Sequence, residues 1–381
     1  MLKPALRRAW RGRNTVQFGV TPAHAVTLGP VDIATGSFLE LLDGTRGLPL
    51  LREEARALDL SDRHVDVLVH RLTEAGLLDD VRAGGPQADV LRRQAEVMER
   101  QRPDVASLSV VHPGPGEGAR RMAARRAMRV QVRGAGRVGA SIAAVLSGAG
   151  VGQVEVLDGG RAEPGDVAPA GLPPGAVGER RDTAARRVVR EAAPGPAPRS
   201  RSAEADPGAA GGQPGLSLIV VAPRDGLAAY APVPDTAAPW IASGTPHLYT
   251  GVIEATGVVG PLVFPGGTGC AGCLELHRAD RDSQWPRMLA QWRSGRRRTV
   301  VPACDLGLAT AVAGLAAAHA LSFLDGELPA CAGARWEAAL PLLEWRCERI
   351  GPHPDCSCGA AESGRGARAS GGIPAQDTMA G

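Results

Sequence analysis

Residues 128–158 read MRVQVRGAGRVGASIAAVLSGAGVGQVEVLD. The run MRVQVRG has the alternation of a strand, VGASIAAVLSGAG the small apolar composition of a buried helix, and QVEVLD the pattern of a second strand. Gly134, Gly136 and Gly139 fall between the first strand and the helix, and Asp158 closes the second strand 24 residues after Gly134. In that setting three glycines can serve a tight turn, a close approach of backbone to a phosphate and a helix N-terminus aimed at an anion. The acid is then placed for a ribose hydroxyl. Two readings stay open at this point: a nucleotide cradle, or glycines that only let helix and strand pack closely.

Farther along, LSLIVVAP (216–223) is uniformly apolar, as a buried parallel strand is. From Met128 onward the pattern is therefore α/β. Before it, NTVQFGVTPAHAVTL (14–28) gives two short β-type runs around a Thr-Pro turn. Three helical patterns follow, IATGSFLELLDG, LPLLREEARALDL and SDRHVDVLVHRLTEAGLLDD, the last opened by Ser61. Residues 1–82 thus predict a small winged-helix-like domain. Residues 83–127 form a connector, with a helical run LRRQAEVMER and a strand-like ASLSVVH. The low-complexity stretches 192–215 and 360–381 are expected to be disordered.

Composition excludes several functions. The 381 residues carry a net charge of only +3, and the third N-terminal helix has about as many acids as bases, so no nucleic-acid partner is expected. The N-terminus lacks an apolar signal region, and ATAVAGLAAAHALSFL (309–324) is short, alanine-rich and interrupted by His319, so no membrane association is expected and the chain reads as cytoplasmic. Of seven cysteines, Cys270 with Cys273 and Cys356 with Cys358 form two tight pairs. In a reducing compartment such pairs indicate a four-cysteine site, which zinc favours and which leaves no open position for catalysis.

The order of these features resembles the adenylating fold of ThiF, MoeB and the ubiquitin-activating enzymes. The carriers of the resemblance are the glycine segment above, GTGCAGCLELH (267–277), CDLGLATAVAGLAAAHALSFLDG (304–326) and PDCSCG (354–359). It covers residues 128–359 and implies for them a Rossmann-like α/β ThiF-type fold with a four-cysteine zinc clip, ATP and Mg2+ as cofactors, and adenylation of a carboxylate. It places a residual nucleotide site at Gly134, Gly136, Gly139, Asp158 and Arg181, and an accepting cysteine at Cys304. Three departures speak against ATP chemistry. GDVAPAGL (165–172) lacks the family's phosphate-binding arginine, Arg181 stands nearest the family's lysine, and Arg224, beside Asp225, stands where the family holds Mg2+ with an aspartate.

In the first domain the strand pair NTVQFGV and HAVTLGPV, the LELLDGTRG turn and the closing helix RLTEAGLLDD resemble the PqqD-like element that binds leader peptides of ribosomally made precursors. Together the two resemblances imply a leader-peptide-binding partner of an azoline-forming, YcaO-type cyclodehydratase, with a homodimer implied by analogy. An active adenylyltransferase for a small ubiquitin-like or sulfur-carrier protein is the alternative. A dinucleotide-dependent oxidoreductase fits less well, for want of a substrate domain.

Overall fold

The computed structural model describes residues 1–196, 215–294 and 301–362; most of 192–215 and of 360–381, expected to be disordered, lies outside them. The chain divides into two compact units, one of Met1–Ala127 with Pro194–Pro196, the other beginning at Met128.

In the first unit, strands β1 (Arg8–Gly12), β2 (Thr15–Phe18) and β3 (Val26–Leu28) form an antiparallel sheet in that order. Where the sequence predicts two β-type runs there are three strands, because β1, RAWRG, is exposed along most of its length and carries no core pattern. Three helices follow, Ile33–Glu40, Leu48–Ala57 and Asp62–Glu74. Asp32 caps the first by accepting from the Thr35 amide, and Ser61 caps the third by accepting from the His64 amide. Val16 and Phe18 of the sheet share one apolar core with Phe38, Val65, Leu68 and Leu72. The third helix ends at Glu74, sooner than its sequence pattern predicts. Gly76 turns the chain at φ +68°, and Leu77 returns to the core from beyond the helix.

Residues 85–125 carry four more helices, Gly85–Arg92, Ala95–Arg100, Arg102–Val111 and Glu117–Arg125. The expected strand ASLSVVH is part of the third of these. Pro103 sits in its first turn, where a missing amide costs nothing, and Leu108 faces Leu91 and Met122 in a small core of its own. Lys3, the only lysine of the chain, is buried, and its ammonium donates to the carbonyls of Ser109 (2.5 Å) and Pro113 (2.9 Å). The N-terminal residues and residues 109–113 are thereby tied within one unit.

The second unit is built on a mixed sheet of seven strands: β4 (Arg129–Arg133), β5 (Gln153–Leu157), β6 (Leu218–Val221), β7 (His247–Ile253), β8 (Thr256–Val263), β9 (Ala334–Ala339) and β10 (Arg346–Arg349). The spatial order is β10-β9-β8-β7-β6-β4-β5, parallel from β5 to β7 and antiparallel from β7 to β10. Chain order reverses on either side of β4. In an open α/β sheet that reversal opens a crevice beyond the strands' carboxyl ends.

Two apolar helices cover one region of the sheet. Arg137–Gly148 packs against Leu306–Leu324, whose alanines let the two backbones approach closely. The second helix is long and apolar enough to cross a membrane, yet Leu308, Val312, Ala316 and Ala320 lie in the core with Val130 and Leu146.

Candidate functional site

The crevice beyond β4 and β6 is lined by the glycine loop. Gly134 turns at φ +109°, and a Cβ there would lie 2.0 Å from the Ala222 carbonyl oxygen at the end of β6. A Cβ on Gly139 would lie 2.1 Å from the Gly134 oxygen. Both glycines are thus required for strand, loop and helix to meet at all. Gly136 differs: a Cβ there would meet the Arg224 side chain at an ordinary 3.4 Å. The position where a dinucleotide fold brings backbone to a pyrophosphate faces an arginine stem.

Asp158 stands where the sequence placed it, but its oxygens are already engaged. Oδ2 accepts from the Ala135 amide (2.9 Å), while Oδ1 accepts from the Gly160 amide (2.8 Å) and from Arg181 Nε (2.9 Å). Gly160 gives Arg181 its room, since a Cβ there would lie 2.0 Å from the guanidinium. Arg181 also donates to the Arg161 carbonyl (2.7 Å) and to Asp166 Oδ2 (3.4 Å). Asp166 joins two arginines: its other oxygen accepts from Arg224 Nε at 2.6 Å, and Arg224 pairs in addition with Glu163. Burial alone would lower the Arg224 pKa. The hydrogen bonds and charges of Asp166 and Glu163 outweigh it and hold the guanidinium above its ordinary value.

Neither Asp166 nor Glu163 is singled out by sequence reasoning, although both lie in or beside the stretch that lacks the family's arginine. They frame a short 3-10 turn, Pro164–Asp166, in which the Glu163 amide donates to the Asp166 carboxylate. Three carboxylates thus surround two guanidiniums in the crevice. Asp225, beside Arg224, caps a short helix by accepting from the Leu227 amide.

Cys304 lies at the edge of the same core, its carbonyl accepting from Arg137 (2.7 Å). The helix that follows is capped by Asp305, which accepts from the Leu308 amide. Burial pushes the Cys304 thiol above its ordinary pKa, although the charge of Arg137 acts in the other direction. A nucleophilic thiol needs the opposite shift.

The second cluster is the cysteines. The Sγ atoms of Cys270 and Cys273 are 3.9 Å apart, those of Cys270 and Cys356 3.6 Å, and those of Cys273 and Cys358 3.6 Å. All four lie within 4.8 Å of one another. Sulfurs bound tetrahedrally to one zinc at about 2.3 Å stand roughly 3.8 Å from each other, so this set fits the ion. Gly272 is required between the first two, because a Cβ there would lie 2.9 Å from Cys356 Sγ.

Neighbouring groups brace the cluster. The His353 amide donates to Cys273 Sγ (3.3 Å), and the His353 ring bonds through Nε2 to Asp280 (2.9 Å) and through Nδ1 with the Asp355 amide (3.1 Å). The segment carrying Cys356 and Cys358 is thereby held to the helix Ala271–Arg281. That helix also carries Arg278. Its guanidinium and that of the fully buried Arg335 both donate to the Tyr230 carbonyl, at 3.0 and 2.8 Å, and both lie over the Tyr230 ring. Burial, reinforced by the charge of Arg335, pushes the Arg278 pKa down to about 10.

A mixed sheet with a parallel half, a glycine loop at its switch point and a four-cysteine cluster together define a ThiF-type fold. A family model described as the ThiF family matches residues 115–360, well over half of the chain, and the chain belongs to that family. Among solved structures, Escherichia coli MccB with ATP superposes with a TM-score of 0.66 at 15% identity, covering 94% of this chain and 98% of that one. MccB, described as a microcin C7 biosynthetic enzyme, in complex with N-formylated MccA gives 0.65 at 15% identity, covering 94% and 99%. Selenomethionine PaaA gives 0.65 at 16% identity, covering 92% and 100%. Similarity at this level of identity establishes the fold. No curated protein sequence matches the chain.

Proposed function

We propose that this ThiF-family chain binds the leader of a ribosomally made precursor peptide and presents it to a separate YcaO-type cyclodehydratase in the cytoplasm, without using ATP itself. The observation that carries this reading is the closed ion-pair network of Asp158, Arg181, Asp166, Arg224 and Glu163 in the crevice. Adenylation needs free cationic groups for the α-phosphate and a carboxylate free to hold Mg2+. Here both arginines are paired internally, and Arg224 fills the acid's expected place. A triphosphate entering this crevice would meet three carboxylates and would have to break their pairs. Loss of nucleotide chemistry with retention of the cysteine clip and the fold is what a presenting subunit requires.

Peptide binding is supported by the first unit, whose three-stranded sheet has two open edges, β1 and β3, able to accept an added strand. MccB, similar in fold over nearly the whole chain, is known in complex with N-formylated MccA. Leu68, Leu72 and Leu77 lie in the core that backs this sheet, with Val16, Phe18 and Leu28. In the same reading Cys270, Cys273, Cys356 and Cys358 hold one zinc. The ion would supply a structural crosslink and no catalytic position. A homodimer belongs to the reading by analogy with the fold.

One observation favours a second reading, active adenylation: MccB has been solved with ATP. ATP–pyrophosphate exchange separates the two. Exchange above background in the presence of a substrate peptide or carrier would establish the adenylyltransferase, and its absence, with leader binding intact, the presenting subunit.

A further inference from the structure

The far edge of the seven-stranded sheet carries groups that the proposed function leaves unused. β10, RCER, is the last strand on its side. The Ile350 amide donates to the Gly333 carbonyl (2.8 Å), which fixes the parity of the β9–β10 ladder. By antiparallel alternation Glu348 pairs with Arg335 and Arg346 with Glu337 through hydrogen bonds. The amide and carbonyl groups of Cys347 and Arg349 turn outward, where no further strand meets them. An edge of this kind is a template for another strand.

The side chains along it carry opposite charge on either side of Cys347, which is itself exposed. Arg346 is 83% exposed, and its ion pair with Glu344 is a loose 3.7 Å. Glu348 gives one oxygen to Arg281 (2.7 Å). Apolar residues stand in solvent at both ends of the strand, Leu342 and Leu343 before it and Pro352 after it.

Twofold pairing of two such edges sets each residue against one at equal distance from the axis. Centred on Arg346 or on Glu348, it would set like charges directly opposite. Centred on Trp345, it would need the strand to run back through Leu343, which a φ of +55° takes out of strand geometry. Centred on Arg349, it would leave Arg346 against Pro352. Centred on Cys347, it sets Arg346 of each copy against Glu348 of the other at the closely spaced, non-hydrogen-bonded positions, and Arg349 against Trp345. The outward groups of Cys347 then bond those of Cys347 in the second copy, and Leu343 lies beside Gly351 and Pro352 across the axis.

We propose that β10 pairs antiparallel with β10 of a second copy of this chain about a twofold axis at Cys347, joining the two sheets into one. This deepens the homodimer of the reading above and rests on it: it assigns the interface and its register. Main-chain bonds at Cys347 and Arg349 hold the two edges, and the paired charges select the register.

The test is sedimentation velocity of the full-length chain over a concentration series, with charge variants at exposed positions. Arg346→Glu sets like charges opposite at two symmetric places, and Glu348→Arg does the same from the other side should the first variant not fold. The double exchange, Arg346→Glu with Glu348→Arg, restores opposite charges across the axis. The expected result is a dimer weakened about tenfold or more by either single variant and returned to within about threefold by the exchange. A short bismaleimide should link Cys347 to Cys347 between copies, with the linked peptide absent in Cys347→Ser.

A dimer indifferent to both single variants would overturn the proposal and leave the homodimer standing on another surface. Weakening that the exchange does not restore, or bismaleimide links that never include Cys347, would overturn it likewise. A chain that stays monomeric at every concentration would overturn the homodimer and the proposal together.

Discussion

Replacing Arg181 by methionine distinguishes an arginine that holds the fold from one kept for a nucleotide. Its side chain is 12% exposed, and the carboxylates it joins, Asp158 and Asp166, are 8% and 3% exposed. Removing one partner of a buried pair costs about 3–5 kcal/mol, chiefly because it strands the other charge. Here Asp158 keeps the Ala135 and Gly160 amides and Asp166 keeps Arg224, so the lower end, about 3 kcal/mol, is expected. For a unit of this size that lowers the melting temperature by roughly 6–12 °C. Urea unfolding followed by tryptophan fluorescence reports it well, because Trp240, Trp285, Trp292, Trp336 and Trp345 all belong to the second unit and only Trp10 to the first. A cationic group reserved for phosphate is held near like charge, and its loss is neutral or stabilising. A change below about 0.5 kcal/mol, or a gain, would refute the assignment of Arg181 to the fold.

Purified protein should carry one zinc per chain by elemental analysis, and Cys273→Ser should lower both zinc content and folded yield, since such a site contributes on the order of 10 kcal/mol to folding; full stability without zinc would contradict this. His247 is fully buried, packed edge-on against Trp240 and Tyr249, and burial holds its pKa below the ordinary 6.5. The unfolded chain therefore binds a proton that the folded chain resists, so this contribution to stability is complete above pH 6.5 and declines as pH falls, by up to about 1.4 kcal/mol per pH unit. His247→Phe, which keeps the ring packing, should reduce that slope in urea titrations between about pH 5 and 7, and an unchanged slope would place its origin elsewhere. Lys3→Ala should destabilise the first unit selectively, seen as a loss of amide-exchange protection in residues 102–113, because its ammonium bonds Ser109 and Pro113; unchanged protection there would show the bonds to be incidental.

The start of the α/β unit was legible because its signals are local: glycines between a strand and a helix, an acid at the next strand's end, and pairs of cysteines with two or one residues between them. Their spacing alone brings the four thiols into question as one site. The crevice was legible only in outline. Arg224 could be seen to replace an acid, but its partners Asp166 and Glu163 lie 58 and 61 residues away, and nothing in PGD marks that turn as a junction for two arginines. The stack of Arg278 and Arg335 on Tyr230 was hidden for the same reason. In the first unit, ASLSVVH misled because its β-branched residues outweigh little once Leu108 is needed in a helical core. β1 was missed because an exposed edge strand needs no alternation of apolar residues.

The central claim is that the chain recognises a leader peptide and does no ATP chemistry. It is tested most directly by calorimetric titration of the full-length protein with synthetic leaders of the short precursors encoded beside its gene, with and without ATP and Mg2+. The account predicts that one leader binds at roughly micromolar strength or better, about −8 kcal/mol, with an affinity that ATP leaves unchanged. Binding of ATP with no leader bound, or leader affinity that depends on ATP, would contradict it.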